Sequence, residues 1–374
     1  MEKREFIKTL GLGGAALAIA PGLLSGCKSP GQNGSTKNWL WIHSVGDTPL
    51  EDLIARLEKL RDHGIDAVLM ETNIGETTAI ESEWEPMEHP SLKRLVRAGE
   101  AAGVEVHCWL WQMPNNIPAI AEKHPDWFAV NGKGEPTHSH PAYVGYYKFM
   151  CPNHPDVQEY LRLRIKSVAQ VEGLTGVHLD YIRLPDVILA EALQPKYDIV
   201  QDREYPEYDY CYCDTCRALF KKQTGIDPLL DLDDPSLNME WRQFRQDSIT
   251  NLVNNVLAPE ARKADKMVTA AVFPNWENVR QEWRNWELDA YLPMLYHSFY
   301  NAGIDWIGQH VEMHIDQMRV KKPLYSGLFL PELTPEELRE AYQVSIDAGA
   351  SGVALFGSLS DADFKVLAEL NSKK

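Results

Sequence analysis

Short runs of β-branched and aromatic residues alternate with amphipathic helical patterns from residue 38 to the end of the chain. The first run, residues 39–44, is followed by Leu53, Leu57 and Leu60 at helical spacing. Strands that alternate with helices in this way form βα units, which close around a parallel sheet. Eight units can be counted, so the sequence predicts an α/β fold of the (β/α)8 TIM barrel type in a single domain.

The predicted strands cover residues 39–44, 65–71, 104–111, 176–182, 267–273, 290–295, 323–329 and 352–356. Helices are expected at 50–61, 91–102, 155–171, 239–264, 305–318, 335–348 and 361–371. Long loops follow strands 3 and 4, on the side where barrel enzymes build their active sites. A two-domain alternative would need its boundary inside the second loop, residues 184–237.

The first 27 residues have the pattern of a signal peptide. Basic residues stand at positions 3, 4 and 8, a short apolar stretch follows, and Leu-Ser-Gly-Cys ends at Cys27. The apolar stretch is too short to span a membrane. A small-residue run that ends in cysteine resembles the lipobox of bacterial lipoproteins, which implies acylation of Cys27; an ordinary cleaved signal is the alternative. The basic segment is also similar to a twin-arginine signal in which lysine replaces the first arginine.

The domain prediction is therefore a lipoprotein signal peptide at 1–27, a flexible tether at 28–37 and the barrel at 38–374. The chain is expected to be exported and lipid-anchored in the bacterial cell envelope, at the periplasm or outer membrane. Its formal net charge of −17 repels phosphate backbones and anionic headgroups. Nucleic acid is excluded as a partner, and membrane contact is expected only through the lipid on Cys27. The 11 Trp and 15 Tyr suit a carbohydrate ligand.

Asp180 is the most informative polar residue. Alternation along the fourth strand points His178, Asp180 and Ile182 to one side, and Leu179 and Tyr181 to the other. Apolar residues are expected outward against the helices, so Asp180 should face the barrel lumen at its carboxyl end. A buried aspartate satisfied by a neighbouring arginine is the structural alternative.

The sequence resembles a known group, the bacterial glycosyl-hydrolase-like barrels of family 10, a domain of unknown function. The matching motifs are His124-Pro125-Asp126-Trp127, Cys151-Pro152-Asn153-His154-Pro155-Asp156-Val157, His178-Leu179-Asp180-Tyr181-Ile182-Arg183 with Pro185, and Pro293-Met294-Leu295-Tyr296. The resemblance implies a glycoside hydrolase on a TIM barrel. It also implies that Asp180 is the catalytic carboxylate and that Arg183 and Tyr296 lie near the sugar.

Cleavage of a glycosidic bond needs two carboxyl groups, so Asp180 needs a partner. By position, Glu332 after strand seven is slightly preferred to Glu277 after strand five, and Glu71 after strand two comes third. Each of the three could instead be an ordinary surface glutamate.

Further polar and aromatic residues at the strand ends are expected to bind substrate. They are His43, Glu71, His107, Trp109, Trp111, His178, Arg183, Trp276, Tyr296 and His297. Four histidines in this set suggest a rival, a metal-dependent barrel hydrolase, although the His-x-His pair common in such sites is absent from strand one. A catalytically silent glycan-binding lipoprotein is the other alternative, because a fold does not entail an activity.

Cys211, Cys213 and Cys216 form a Cys-x-Cys-x-x-Cys run that is tight enough to surround one ion. A closed zinc site needs a fourth ligand, either Cys151 or Cys108. The cluster is similar to the zinc site of certain barrel β-galactosidases, in which a Cys-Pro-Asn cysteine joins the loop after strand four; this resemblance implies Cys151. Disulfides are the alternative in an exported protein. Zinc would be structural, with no cofactor required for catalysis.

Overall fold

The computed structural model describes residues 36–72 and 89–372. The predicted signal peptide, its lipidation residue Cys27 and all but the end of the predicted tether lie outside these ranges. The described chain is a barrel of eight parallel strands with helices between them, which confirms the predicted fold.

The strands are β1 (Trp39–Ile42), β2 (Ala67–Glu71), β3 (Glu105–Trp111), β4 (Gly176–Asp180), β5 (Met267–Val272), β6 (Ala290–Pro293), β7 (Ser326–Phe329) and β8 (Val353–Phe356). The helices are α1 (Leu50–Asp62), α2 (Pro90–Ala102), α3 (Pro118–Lys123), α4 (Pro155–Ala169), α5 (Asp214–Thr224), α6 (Met239–Leu252), α7 (Ala258–Arg262), α8 (Asp305–Gln317), α9 (Pro335–Asp347) and α10 (Asp361–Asn371). The single helix predicted at 239–264 is α6 and α7 joined by a π-helical turn, Val253–Leu257.

Seven of the eight strand junctions are continuous parallel ladders. The eighth, between β6 and β7, closes through the isolated bridges Tyr291–Leu324 and Met294–Gly327. A Cβ at Gly327 would lie 2.5 Å from the carbonyl oxygen of Pro293, so this close approach requires glycine. The barrel is therefore almost closed, and the β6–β7 junction is the one strand junction without a continuous hydrogen-bonded ladder.

Side chains alternate between the barrel lumen and the helical layer, as the strand period of two requires. Trp39 and Trp41 of β1 fill the lumen together with small residues such as Ala271 and Ala354. Val177 and Leu179 of β4 point outward and pack in the helix-facing core. Large indoles and small alanines thus fill the lumen below the mouth.

Lys37 belongs to the barrel floor and is not part of the tether in which we placed it. Its N–H donates to the Ser351 carbonyl at 2.9 Å, and its ammonium group pairs with Glu105 and lies 4.6 Å from the ring centre of Trp39. Its backbone runs so close to Gly352 that a Cβ there would overlap the Lys37 oxygen. Among the described helices, none has the length and apolar character that a membrane span needs.

Candidate active site

A cavity of about 310 Å³ lies at the carboxyl ends of the strands. Its volume is at the lower end of the usual range for ligand sites, about 300–1,000 Å³. Seven of the predicted site residues line it: His43, Glu71, Trp109, Trp111, Asp180, Arg183 and Tyr296. The long loops after β3 and β4 supply much of the remaining wall.

Asp180 is the last residue of β4 and is 7% exposed. Its Oδ2 accepts a hydrogen bond from Trp109 Nε1 at 2.7 Å, and its Oδ1 accepts one from the Tyr181 N–H at 2.6 Å. Burial raises the pKa of Asp180 to about 6, with a smaller contribution from the charge of Glu71. The two hydrogen bonds and the charge of Arg183 oppose that rise only in part. A carboxyl with this pKa can hold a proton near neutral pH, as a general acid must.

The chain changes direction directly after Asp180. Tyr181 has a φ of 48°, in the left-handed region that costs a non-glycine residue about 1–2 kcal/mol. The predicted alternation therefore fails here: Ile182 does not face the mouth but is buried in the helix-facing core. Tyr181 lines the cavity instead, with its ring 4.6 Å from that of Trp111. Strained backbone at a cavity wall is typical of functional sites.

Glu71 is the last residue of β2 and lies beside Trp109 in the β2–β3 register. Its Oε2 is 2.7 Å from Nδ1 of His43, and its side chain is 13% exposed. One strand, β3, separates Glu71 from Asp180, which is about 10 Å across the sheet. Asp180 also lies two residues farther along the strands, because Glu71 pairs with Trp109 and Asp180 pairs with Trp111. Both carboxyl groups line the same cavity, and the charge of Glu71 contributes to the raised pKa of Asp180.

Arg183 and Asp186 form a buried ion pair in another part of the cavity wall. Arg183 Nη1 is 2.9 Å from Asp186 Oδ2, and Nη2 donates to the Tyr147 hydroxyl at 3.1 Å. The guanidinium lies 4.6 Å from the centre of the Phe273 ring. The arginine is thus enclosed by rings, and its charge is balanced by Asp186.

His107 and His178 do not reach the mouth, although we expected them to bind substrate. Both are fully buried in the lumen. His178 Nε2 accepts from Trp41 Nε1 at 3.2 Å, and its Nδ1 is 2.8 Å from the Thr269 hydroxyl. Since an indole N–H can only donate, His178 carries its proton on Nδ1. Its role in the fold is to fix Trp41, which forms part of the cavity wall.

Four other predicted residues lie outside the cavity lining. Trp276 and Glu277 belong to the 3-10 turn Trp276–Val279 after β5, where Trp276 is covered by Arg284 at 4.5 Å. Burial raises the pKa of Glu277, but this carboxyl does not line the cavity. Glu332 ends the 3-10 turn after β7, and its charge acts on His297 at the start of the turn after β6. Neither preferred partner of Asp180 therefore shares its cavity.

The sequence analysis missed several residues of the cavity wall. They are Tyr143, Tyr146, Tyr147, Tyr181, Asp186, Tyr197 and Tyr300. The two long loops supply six of these seven residues. The dense Tyr143-Val144-Gly145-Tyr146-Tyr147 segment was a signal for aromatic contacts, whereas no sequence pattern distinguished Asp186 from a surface aspartate.

The four cysteines expected to bind zinc converge. Cys151, Cys211, Cys213 and Cys216 are buried and form no disulfide, with all sulfur atoms within 4.8 Å of one another. Cys151 lies 3.5 Å from Cys216 and 3.4 Å from Cys213. Four ligands at 2.3 Å around a tetrahedral zinc would be about 3.8 Å apart, so the donor set fits that ion. Cys108, the other candidate ligand, is elsewhere, and burial raises its pKa to about 12.

The surroundings of the cluster also suit a thiolate site. Asn153 Nδ2 lies 3.3 Å from the sulfur of Cys216 and donates to the Ser248 hydroxyl at 2.8 Å. Cys151 comes from the loop after β3 and the other three cysteines from the loop after β4. The cluster therefore joins the two loops that form much of the cavity wall. In residues 36–72 and 89–372, it is the one group of three or more His, Cys, Asp or Glu side chains with converging ligand atoms.

No family model and no curated protein matches the sequence. Solved structures do share the fold. The β-galactosidase from Rahnella sp. R3 has a TM-score of 0.62 and 14% identity, covering 91% of this chain and 56% of its own. The PgaB glycoside hydrolase domain from Bordetella bronchiseptica has a TM-score of 0.63 and 15% identity, and the match covers 91% of this chain and 98% of the PgaB domain.

The β-galactosidase from the Antarctic haloarchaeon Halorubrum lacusprofundi has a TM-score of 0.67 and 12% identity, and the match covers 90% of this chain and 58% of the β-galactosidase. The chain thus spans little more than half the length of these β-galactosidases and almost the whole PgaB domain. At such identities the likeness shows the fold, a (β/α)8 barrel.

Proposed function

We propose that the protein hydrolyses glycosidic bonds, with Asp180 as general acid and Glu71 as the second carboxylate. The observation that carries the proposal is the buried Asp180 carboxyl, whose pKa is raised to about 6, in one cavity with Glu71. The glycoside hydrolases that share the fold support the same reaction class.

In the proposed reaction, protonated Asp180 gives its proton to the glycosidic oxygen as the bond to the anomeric carbon breaks. The Glu71 carboxylate either attacks the anomeric carbon or removes a proton from the attacking water. A separation of about 5–5.5 Å between the carboxyl groups favours the first course, and about 6.5–9.5 Å favours the second. His43, whose Nδ1 is 2.7 Å from Glu71, orients that carboxylate.

Glu71 replaces Glu332 and Glu277 as the partner because those residues do not line the cavity. The choice can be tested with purified protein, a panel of oligosaccharides and aryl glycosides, and matched amide variants. Asp180→Asn should lower kcat/KM about 100- to 10,000-fold, the usual contribution of general acid catalysis. Glu71→Gln should produce a loss of similar size, whereas Glu332→Gln should retain wild-type activity.

Equal turnover by the wild type and Asp180→Asn would reject the catalytic assignment. Glycan binding without turnover by either protein would favour the silent binding module. The structure does not favour the metal-dependent alternative, because no histidine of the described residues belongs to a group of three or more His, Cys, Asp or Glu side chains with converging ligand atoms. Substrate turnover that survives chelation is expected, since the proposed chemistry uses side chains alone.

We also propose that Cys151, Cys211, Cys213 and Cys216 hold one structural zinc ion. The ion would supply no chemistry to the reaction and would fix the loops after β3 and β4 to each other. Metal analysis should give about one zinc per chain in the wild type and much less in Cys213→Ser. Two disulfides by mass spectrometry, with no zinc, would contradict the assignment.

For the first 27 residues we propose export and acylation at Cys27, on the sequence pattern alone. In cells given radiolabelled palmitate, the wild-type chain should carry label in the membrane fraction and Cys27→Ala should not. A labelled Cys27→Ala variant would exclude this residue as the acylation site.

A further inference from the structure

Loops after three different strands meet over one side of the cavity. The 3-10 helix Glu191–Tyr197, in the loop after β4, packs against the 3-10 turn His297–Tyr300 after β6. Tyr143, from the loop after β3, lies with its ring 5.7 Å from that of Tyr197. Tyr143, Tyr197 and Tyr300 of these loops line the cavity together with Asp186 and form a cover on that side, which is expected to stop a long glycan chain.

Hydrogen bonds hold this cover in place. The Tyr143 hydroxyl donates to the Asp186 carbonyl at 2.8 Å and accepts from Gln201 Nε2 at 2.9 Å. Gln201 Oε1 accepts from the Leu189 N–H at 2.8 Å, and the Gln201 N–H donates to Gln194 Oε1 at 2.9 Å. Side chains from two loops are thus linked in one buried network, which makes the cover a fixed wall.

Asp186 presents an unused acceptor to the covered end. Its Oδ2 pairs with Arg183, while Oδ1 accepts no hydrogen bond from any described residue. The residue is only 5% exposed and lines the cavity. Because this oxygen is not itself fully buried, it is open to the cavity, and a ligand hydroxyl there can donate a hydrogen bond to it. Carboxylates that accept from sugar hydroxyls fix both the position and the orientation of a ring.

The charge of the lining restricts the ligand. Arg183 is the one Lys or Arg among the described lining residues, and its charge is already paired with Asp186. Glu71 and Asp180 bring further carboxyl groups. A sugar that carries a carboxylate or sulfate would therefore meet like charge without a free cation, which costs free energy in a buried site.

We infer that Asp186, held by Arg183, binds the hydroxyl groups of a chain-terminal, uncharged sugar, and that the protein removes units from the chain end. This inference rests on the proposed function, because it assigns a subsite to the same cavity. The volume of about 310 Å³ suits one or two sugar rings. The covered end then receives the terminal ring, and the bond to be cleaved lies at Asp180.

The test uses 4-nitrophenyl glycosides of single neutral sugars, the matching glucuronide, and reduced oligosaccharides of the sugar that is turned over. At least one neutral monoglycoside should be hydrolysed and the glucuronide should not. Oligosaccharides should shorten by one unit at a time from the earliest samples. Asp186→Asn should raise KM at least tenfold with a smaller change in kcat, whereas Asp202→Asn, an exposed aspartate in the same loop, should match the wild type.

Early products of mixed intermediate lengths, with no monoglycoside turned over, would overturn the inference while leaving the proposed hydrolase intact. This product profile needs no variant, so it stands even where Asp186→Asn fails to fold. A separate arm titrates free neutral monosaccharides into the Asp180→Asn protein by calorimetry. Binding that is lost when Asp186→Asn is added, together with a wild-type protein that turns over no glycan, would sustain the subsite and reject the hydrolase.

Discussion

Trp109 Nε1 donates a 2.7 Å hydrogen bond to Oδ2 of Asp180 across the neighbouring strands β3 and β4. An indole N–H can only donate, so this carboxyl oxygen always faces a donor. The bond lowers the pKa of Asp180, while burial raises it by more, to about 6. Trp109 therefore affects both the orientation of the carboxyl group and the pH at which it loses its proton.

The rate should follow the acid form of Asp180. Because the pKa of this group is raised to about 6, the protonated fraction falls about tenfold per pH unit above that value. We expect kcat/KM to decline along an alkaline limb that begins near pH 6. A profile from pH 4 to 9 on an aryl glycoside measures this, and activity that stays constant to pH 8 would exclude Asp180 as the acid.

Trp109→Phe should move that limb to higher pH. The substitution keeps an aromatic ring but removes the donor that stabilises the Asp180 carboxylate, so the pKa of Asp180 rises. The rate at the optimum should also fall several-fold, because the carboxyl group loses its orientation. Trp276→Phe, outside the cavity, is the matched control and should leave the limb unmoved. An unshifted limb in Trp109→Phe would mean that the hydrogen bond does not control the proton.

The burial of Asp180 should be visible in stability. Its pKa rises from 3.8 to about 6 on folding, so the folded state binds the proton more tightly and wild-type stability is lost as pH rises through this window. The loss is about 3 kcal/mol, at about 1.4 kcal/mol per pKa unit. Urea unfolding at pH 4 and pH 7 measures this loss. Between these two pH values, the free energy of unfolding of Asp180→Asn should rise by about that much relative to that of the wild type. A difference that does not vary with pH would contradict the raised pKa.

His314 should weaken the fold at acid pH. It is 1% exposed on α8, neither ring nitrogen has a partner among the described residues, and burial lowers its pKa from 6.5 to about 3. Below pH 6.5 the unfolded chain gains a proton that the folded chain does not, so stability falls by about 2 kcal/mol from pH 6.5 to 5. Between pH 6.5 and 5, the free energy of unfolding of His314→Leu, measured with urea, should fall by about that much less than that of the wild type. Equal decreases in the two proteins would argue against a buried neutral histidine.

Asp209 should be among the most sensitive positions in the loop after β4. It is 2% exposed and pairs with Arg245 and Arg280, each 1% exposed. Asp209→Asn leaves these two guanidinium groups with less counter-charge, and breaking such a buried network costs about 3–5 kcal/mol. The melting temperature should drop by several degrees, whereas the exposed Asp202→Asn should change little. A wild-type melting temperature in Asp209→Asn would show that the arginines are hydrated.

The sequence predicted the barrel well because its signal is periodic. Alternation in β4 placed His178 and Asp180 on the lumen side, where His178 contacts Trp41 and Asp180 lines the cavity. Hydrophobic spacing located most helices to within a few residues, but it missed α3 and α5, which lie in the two long loops. The convergence of Cys151 with the later cysteines followed from a motif. Alternation predicts which side of the sheet a side chain faces, but not how far below the mouth it lies along the barrel axis. For this reason we expected His107 and His178 at the mouth, although they lie below it.

Glu277 and Glu332, which we expected beside Asp180, lie outside the lining of its cavity for a related reason. Glu277 and Glu332 follow the ends of β5 and β7 in short 3-10 turns, where strand alternation no longer determines direction. Glu71 is the last residue of its strand and keeps the lumen-facing phase, as Asp180 does. A lumen-facing carboxylate that ends a strand is thus a better candidate than one in the following turn. The left-handed backbone at Tyr181 could not have been read from the sequence.

The described chain enters the barrel at its floor, where Lys37 pairs with Glu105 beneath Trp39. The proposed acid and the rim residue His43 lie at the opposite ends of the strands. The point where the described chain enters the barrel and the opening of the cavity therefore lie at opposite poles, so substitutions near Lys37 can alter the floor without touching the cavity lining.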